Sequence, residues 1–196
     1  MKAHLRVDPA AVHAAIDPHV FGSFIEHLGR AVYTGIYEPT HPAADSFGFR
    51  TDVEALIRPL HVTQIRYPGG NFLSGYDWKD GIGPKEQRPV RPDMAWSAIE
   101  PNQVGTDEFL RWCERIGAEP MMAVNLGTGT PKDAVELLEY CNGSMHTYWA
   151  DKRRKTVTTR LTTSGSGVLA TKWTAPGRSA RKQRMNMAAS HARRPS

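Results

Sequence analysis

The sequence predicts an α/β protein built from βα units of a parallel sheet, in the manner of an incomplete (β/α)8 barrel. Short apolar segments alternate along residues 19–140 with stretches whose apolar residues recur at the helical period. Polar and aromatic residues follow each predicted strand, and barrel enzymes carry their active sites there. A complete barrel needs about 250 residues, so this chain supplies about three of the eight units.

Four segments are predicted to form strands, because they are short, apolar and mostly bounded by turn residues. They are His4–Val7, Val20–His27, Val62–Arg66 and Glu119–Asn125. Three helices are predicted between and after them from apolar periodicity and from residues that begin and end helices. They start at Thr51, Thr106 and Pro131, and the first carries Val53, Leu56, Ile57 and Leu60 as its apolar positions. Residues 79–105 are rich in Pro and Gly and are predicted to form a long loop, which is typically functional or disordered.

The segment from Arg66 to Trp78 is the strongest candidate for a site. Pro68 ends the preceding strand because it lacks an N–H, and the glycines after it let the backbone turn sharply or approach a ligand closely. Asn71, Tyr76 and Asp77 then follow. A strand that ends in such a loop indicates a small-molecule site. The segment alone fits equally well with a Pro-Gly-Gly turn that carries surface aromatics.

Charge is distributed unevenly along the 196 residues. Residues 1–151 hold 13 Lys and Arg against 20 Asp and Glu, a net charge of −7, whereas residues 152–196 hold 12 Lys and Arg and no acidic residue. The formal net charge of +5 therefore arises from the last part of the chain. The acidic body is typical of a soluble enzyme.

Several classes of protein are disfavoured. No apolar run approaches the ~20 residues of a membrane helix, and residues 1–20 lack the pattern of a signal peptide, so we expect a cytoplasmic protein. Cys113 and Cys141 are interpreted as buried apolar residues in a reducing compartment. The eight histidines lack the spacing of a zinc site. The Gly-rich loop at Asn125–Thr130 lacks the lysine of a phosphate-binding loop.

Four motifs in order carry a resemblance to a known family. They are GSFIEHLGRAVY at 22–33, RYPGGNF at 66–72, GPKEQRP at 83–89 and MAVNLG at 122–127. Together they resemble the intracellular α-L-arabinofuranosidases of glycoside hydrolase family 51, from near the N-terminus to about Lys155. Several long motifs in sequence make this resemblance highly specific.

The resemblance implies a (β/α)8 barrel joined to a β-sandwich domain. Residues 1–18 would supply a strand to the sandwich, and residues 19–155 the incomplete catalytic barrel. It implies removal of terminal α-L-arabinofuranosyl groups from arabinan and arabinoxylan oligosaccharides with retention of configuration, without a metal or cofactor, by homo-oligomeric enzymes. Glu26 and Asn71 would bind the sugar in the −1 subsite, and Trp96 would line the site or merely pack in its loop. His27 is interpreted as a buried histidine outside the site.

Retaining glycosidases need two carboxylates about 5 Å apart. In the family the acid/base Glu lies in a G-N-E motif after the fourth barrel strand, and the nucleophile follows later. This chain has no Asp or Glu after Asp151. We therefore assign no catalytic residue, neither Glu26 nor Asp77, and expect the chain to be inactive.

The composition of residues 156–196 suggests a hypothesis of a changed reading frame. Read one base back, Trp173–Thr174 must encode Asp, Met185–Asn186 must encode Glu, and Met187–Ala188 must encode Gly. Permitted codons then allow a G-N-E-M-D-G continuation whose Glu codon spans Thr171 and Lys172. Loss of one base in a run of adenines near Lys155, by mutation or by sequencing error, would produce this pattern and a disordered basic tail.

Two alternatives remain from the sequence. The 12 basic residues after Asp151 could contact nucleic acid through phosphates, although Trp173 is the sole aromatic residue there for base stacking. A related glycosidase for another pentoside is the second alternative. Our prediction remains an arabinofuranosidase fragment that binds no nucleic acid and no membrane.

Overall fold

A computed structural model describes residues 2–5 and 7–156 of the chain. Its strands are β1 (Ser23–Phe24), β2 (Gln64–Tyr67), β3 (Arg91–Asp93), β4 (Ala98–Glu100) and β5 (Glu119–Met122). Its α-helices are α1 (Thr51–Ile57), α2 (Thr106–Ile116), α3 (Pro131–Asn142) and α4 (Tyr148–Thr156). Short 3-10 helices lie at Pro18–Phe21, Arg58–Leu60, Phe72–Gly75, Trp78–Gly81 and Lys85–Gln87.

Three strands form a parallel sheet in the order β1-β2-β5. Helix α1 lies between β1 and β2 in the chain, α2 lies between β2 and β5, and α3 follows β5. In the register of this sheet Phe24 lies opposite Arg66, and Arg66 opposite Met121. The predicted α/β class with a parallel sheet is therefore confirmed, whereas its extension to a barrel stays a prediction.

The two faces of the sheet are covered unequally. Ile65 and Tyr67 point to the helical side and are 3% and 0% exposed, and the Tyr67 ring stacks on Phe109 of α2 with centroids 4.3 Å apart. On the other face the Arg66 guanidinium lies 4.4 Å from the centroid of the Phe24 ring, and Phe24 remains 45% exposed. Apolar burial therefore stabilises mainly the helical side.

The three predicted helices are confirmed. Gly117 ends α2 in the left-handed conformation with φ 75°, and Thr130 begins α3 by accepting a hydrogen bond from the Asp133 amide through its hydroxyl. Of the four apolar positions predicted for the first helix, Leu60 lies beyond α1 in the following 3-10 helix, and Leu56 and Leu60 are 74% and 69% exposed. Cys113 and Cys141 are buried free thiols, as predicted.

Three other predictions need correction. No strand forms at His4, Leu5 or Val7, because no described segment pairs with them. The predicted strand Val20–His27 is shortened to β1, since Pro18–Phe21 forms a 3-10 helix. The predicted loop 79–105 contains the antiparallel hairpin of β3 and β4.

Helix α4 was not predicted from the sequence, and it reaches Thr156 at the edge of the described residues. Arg153 fixes it to α3 by donating hydrogen bonds to the carbonyl oxygens of Tyr140, Cys141 and Gly143. The prediction of a disordered tail otherwise lies outside the described residues. The domain boundaries at residues 18 and 155 stay predictions. No helix in the described part is long and apolar enough to cross a membrane.

Candidate functional site

Glu26 lies at the centre of the candidate site, just after β1. It is 8% exposed, and its Oε1 accepts a hydrogen bond from the Phe72 amide at 2.9 Å. The same oxygen accepts a second hydrogen bond from the Trp96 indole Nε1–H at 3.3 Å. A buried carboxylate is costly unless such donors compensate it. Two donors from two separate loops therefore fix the position of this one carboxylate.

The glycines of the Pro-Gly-Gly turn let the β2 loop approach this carboxylate. Gly69 has φ 147°, and a Cβ added there would lie 2.4 Å from Cγ of Glu26. A Cβ on Gly70 would lie 3.6 Å from Oε2 of Glu26, which is ordinary contact. Only Gly69 is therefore required by both backbone conformation and space. The turn predicted from the sequence serves a close approach of backbone to a side chain.

Trp96 reaches Glu26 from the tip of the β3–β4 hairpin. In that hairpin Arg91 pairs with Glu100 and Asp93 with Ala98, and Asp93 accepts a hydrogen bond from the Ala95 amide at 2.9 Å. Burial raises the pKa of Asp93, mainly by disfavouring its charged form. The structure thus brings Glu26 and Trp96 together, by a hairpin that the sequence did not predict.

Asn71 lies beside these groups but does not contact them through its side chain. It is exposed, and it directly precedes Phe72, whose amide donates to Glu26. Within residues 2–5 and 7–156, its side-chain amide makes no hydrogen bond to protein. Its donors and acceptor are accordingly open to solvent or to a ligand.

A buried polar network under the site was missed by the sequence analysis. His27 is 7% exposed; its Nε2 lies 2.9 Å from the Tyr67 hydroxyl, and its Nδ1 lies 2.8 Å from Oε2 of Glu100. Glu100 also accepts hydrogen bonds from the Tyr33 hydroxyl and from the Asn102 amide. Burial raises the pKa of Tyr33 and Tyr67 far above the usual tyrosine value. The network links the segment after β1 with β2 and β4, and only spatial proximity, not a local pattern, identifies it.

A cleft of about 340 Å³ opens next to this network. It is lined by His27, Leu28, Gly29, Val32, Tyr33, Asp93, Trp96, Ala98, Ile99 and Glu100. Its walls combine apolar side chains with carboxylates and a tryptophan indole. Such a surface suits a small polar ligand with an apolar face.

Other sequence candidates have structural roles. Asp77 accepts a hydrogen bond from the Lys79 amide and begins the 3-10 helix that follows. In the loop after β5, the Asn125 side-chain oxygen accepts hydrogen bonds from the amides of Gly127 and Thr128, both at 3.0 Å. These amides are thus occupied by the loop itself. In the described ranges, no three His, Cys, Asp or Glu side chains are grouped to hold a metal ion.

Parallel βα units with a fixed carboxylate and an amide after the strands are typical of α/β enzymes that bind small polar substrates. A family profile described as the alpha-L-arabinofuranosidase 1 domain matches residues 56–159. The chain therefore belongs to the α-L-arabinofuranosidase family, glycoside hydrolase family 51.

Individual relatives agree with this assignment. An intracellular exo-alpha-(1->5)-L-arabinofuranosidase of Bacillus subtilis is 56% identical over 153 residues, which are 78% of this chain and 31% of the relative. A family 51 α-L-arabinofuranosidase structure from Bifidobacterium longum matches with TM-score 0.70 and 57% identity, over 71% of this chain and 28% of that one. An arabinose complex of the Thermotoga maritima enzyme matches with TM-score 0.69 and 54% identity, over 70% and 29%. The chain thus spans about a third of the relatives' length.

Proposed function

We propose that this chain is the sugar-positioning part of an α-L-arabinofuranosidase site, in which Glu26, Asn71 and Trp96 hold a terminal arabinofuranosyl group. The observation that carries the proposal is the fixed carboxylate of Glu26. Its Oε1 accepts hydrogen bonds from the Phe72 amide and the Trp96 indole, and the second oxygen remains for a sugar hydroxyl. Asn71 adds an exposed amide beside it.

The substrate class follows from the family and from the chemistry of these groups. Carboxylate and amide oxygens accept hydrogen bonds from sugar hydroxyls, and an indole covers an apolar sugar face. The relatives' names specify arabinofuranosidase activity. We propose terminal non-reducing α-L-arabinofuranosyl residues of arabinan and arabinoxylan oligosaccharides as the substrate, cleaved with retention by the complete enzyme. The word intracellular in those names supports a cytoplasmic location.

The 196-residue chain itself should not catalyse this reaction. Retaining hydrolysis needs a nucleophile and an acid/base carboxylate about 5 Å apart. No acidic residue follows Asp151, and Glu26 is engaged by two donors as a binding group. We propose that a change of reading frame after Lys155 replaced the segment that carries the G-N-E motif.

The coding DNA tests the frame proposal directly. Across residues 155–188, reading one base back should give Gly-Asn-Glu with its Glu codon spanning Thr171 and Lys172. A DNA sequence without that reading would refute the frame change. The site proposal is tested separately, by titrating the protein with L-arabinose while following the ¹H–¹⁵N resonance of the Trp96 indole. Glu26→Ala should abolish the shift that arabinose causes in this resonance, and His146→Ala should leave that shift unchanged.

A further inference from the structure

We propose that His27 is a positioning residue for this site: it holds the two groups that donate hydrogen bonds to Glu26. The identity of the bound sugar rests on the proposed function, whereas the positioning role rests on contacts within the described chain. His27 follows Glu26 directly, and its ring belongs to the buried network.

The first link runs through Phe72. The His27 imidazole stacks on the Phe72 ring, with centroids 4.6 Å apart and planes inclined by 16°. The Phe72 amide is the donor that lies 2.9 Å from Oε1 of Glu26. A stacked ring restrains the position of Phe72, so the imidazole fixes the donor's distance from the carboxylate.

The second link runs through the hairpin. Nδ1 of His27 lies 2.8 Å from Oε2 of Glu100, and both side chains are nearly inaccessible, at 3% and 6%. The contact is not aligned as a hydrogen bond, and the two groups attract each other as an ion pair when the ring is protonated. Glu100 is the last residue of β4, and the hairpin carries Trp96 at its tip. His27 therefore anchors the base of the arm that delivers the indole to Glu26.

Hydrogen-bond directions place a proton on Nε2 of the His27 ring. The Tyr67 hydroxyl donates its one proton to the Val104 carbonyl at 3.0 Å. Nε2 of His27, 2.9 Å from the same hydroxyl, must therefore be the donor in that pair. A proton on Nδ1 as well would place an imidazolium against the Glu100 carboxylate. A phenyl ring could fill the same space, but it could neither donate a hydrogen bond to the Tyr67 hydroxyl nor attract the Glu100 carboxylate.

The test uses His27→Phe in the 196-residue protein, because phenylalanine keeps the ring stacked on Phe72 and removes both nitrogens, so a displaced indole reports the link through Glu100. The readout is the ¹H–¹⁵N resonance of the Trp96 indole, assigned by its loss in Trp96→Phe and calibrated by its unbonded position in Glu26→Ala. The matched control is His146→Phe, because that histidine side chain is 90% exposed and pairs with nearby Asp151.

We expect the Trp96 resonance of His27→Phe to move to the Glu26→Ala position and to stay unchanged in His146→Phe. A resonance at the wild-type position in folded His27→Phe would overturn the proposal. If His27→Phe does not fold by circular dichroism, Glu100→Gln replaces it, since it keeps the shape and removes the charge. The same displacement is then expected, and its absence is equally decisive.

An L-arabinose titration separates this inference from the proposed function. If arabinose shifts the wild-type Trp96 resonance, His27→Phe should lower the affinity for arabinose in this titration about tenfold or more. This is the loss expected when a hydrogen bond to a charged group is removed. An equal response in both proteins would refute the role of His27. No response in wild type, together with a displaced resonance in His27→Phe, would refute the sugar site and leave the positioning role intact.

Discussion

Substitution of Gly69 by alanine should disrupt the site more than any other small change in the loop. Gly69 has φ 147°, which residues with a side chain rarely adopt, and the added methyl would lie 2.4 Å from Cγ of Glu26 and 2.9 Å from its Cβ and Cδ. Backbone strain of this kind costs about 1–3 kcal/mol. Glu26 must also move, which breaks its hydrogen bond from the Phe72 amide.

Urea unfolding, followed by tryptophan fluorescence, measures the loss of stability in Gly69→Ala. With a denaturant slope of roughly 2 kcal/mol per molar urea, a loss of about 2 kcal/mol moves the midpoint down by about 1 M. The Trp96 indole resonance should move at the same time, because its acceptor is displaced. Both changes follow from one overlap between a methyl group and a buried carboxylate.

Gly75→Ala is the matched control in the same loop. A Cβ at Gly75 would meet nothing within 4 Å, so we expect a change within about 0.5 kcal/mol, or a slight gain from reduced unfolded-state entropy. If Gly69→Ala and Gly75→Ala unfold at the same urea concentration, the close approach of the loop to Glu26 is not a constraint, and the reasoning about the site fails.

Three further predictions concern the framework of the site. Arg88 is 3% exposed at its side chain and pairs with Glu108 at 2.9 Å, so Arg88→Met should cost about 3 kcal/mol by removing the cation of a largely buried ion pair, with Lys85 at 3.9 Å and the Gly105 amide left as partners of Glu108; a loss below 1 kcal/mol in urea unfolding would contradict this. Lys132 and Lys79 lower the pKa of Glu136 to about 2, and Lys79 and Thr130 lower that of Asp133 to about 2. The stabilisation from these two carboxylates is present above their unfolded pKa values and is lost as pH falls towards 2. Lys79→Met should therefore flatten the acid limb of a stability profile from pH 5 to 2. An unchanged limb would count against the ion pairs. Burial raises the pKa of Asp107 to about 6, so the free energy of unfolding should fall as pH rises from about 4 to 6. Asp107→Asn should remove that fall in stability, and identical stability profiles for both proteins would contradict this role of Asp107.

Local sequence patterns predicted the parts of the fold that depend on local signals. The strand before Pro68, the turn at Gly69 and the helices beginning at Thr106 and Pro131 each carry their own propensity and capping residues. These features need no knowledge of distant partners.

Features that depend on distant partners were not predictable in this way. The β3–β4 hairpin holds Pro92 and has little alternation of apolar residues, so its pairing shows only in three dimensions. Helix α4 buries only Ala150 and is held to α3 by hydrogen bonds from Arg153. Leu56 and Leu60 have helical periodicity, but periodicity alone does not say whether another element covers that face.

The network around His27 shows the same limit within the site. Its members come from three separate segments, and Glu100 is only one of many acidic residues in the body of the chain. Their hydrogen-bond partners are fixed by the sheet register and by the hairpin, neither of which a residue pattern specifies. The sugar-binding candidates were found through motifs, whereas the groups that hold them in place required the structure.

Hydrolysis of p-nitrophenyl α-L-arabinofuranoside tests the central claim most directly. The 196-residue chain should release no p-nitrophenol above the uncatalysed rate, because we propose that it carries the binding groups Glu26, Asn71 and Trp96 without the two catalytic carboxylates. The product of the same gene with one base restored near Lys155 should cleave the substrate. Turnover by the pure 196-residue chain, or none by the restored product, would contradict the account.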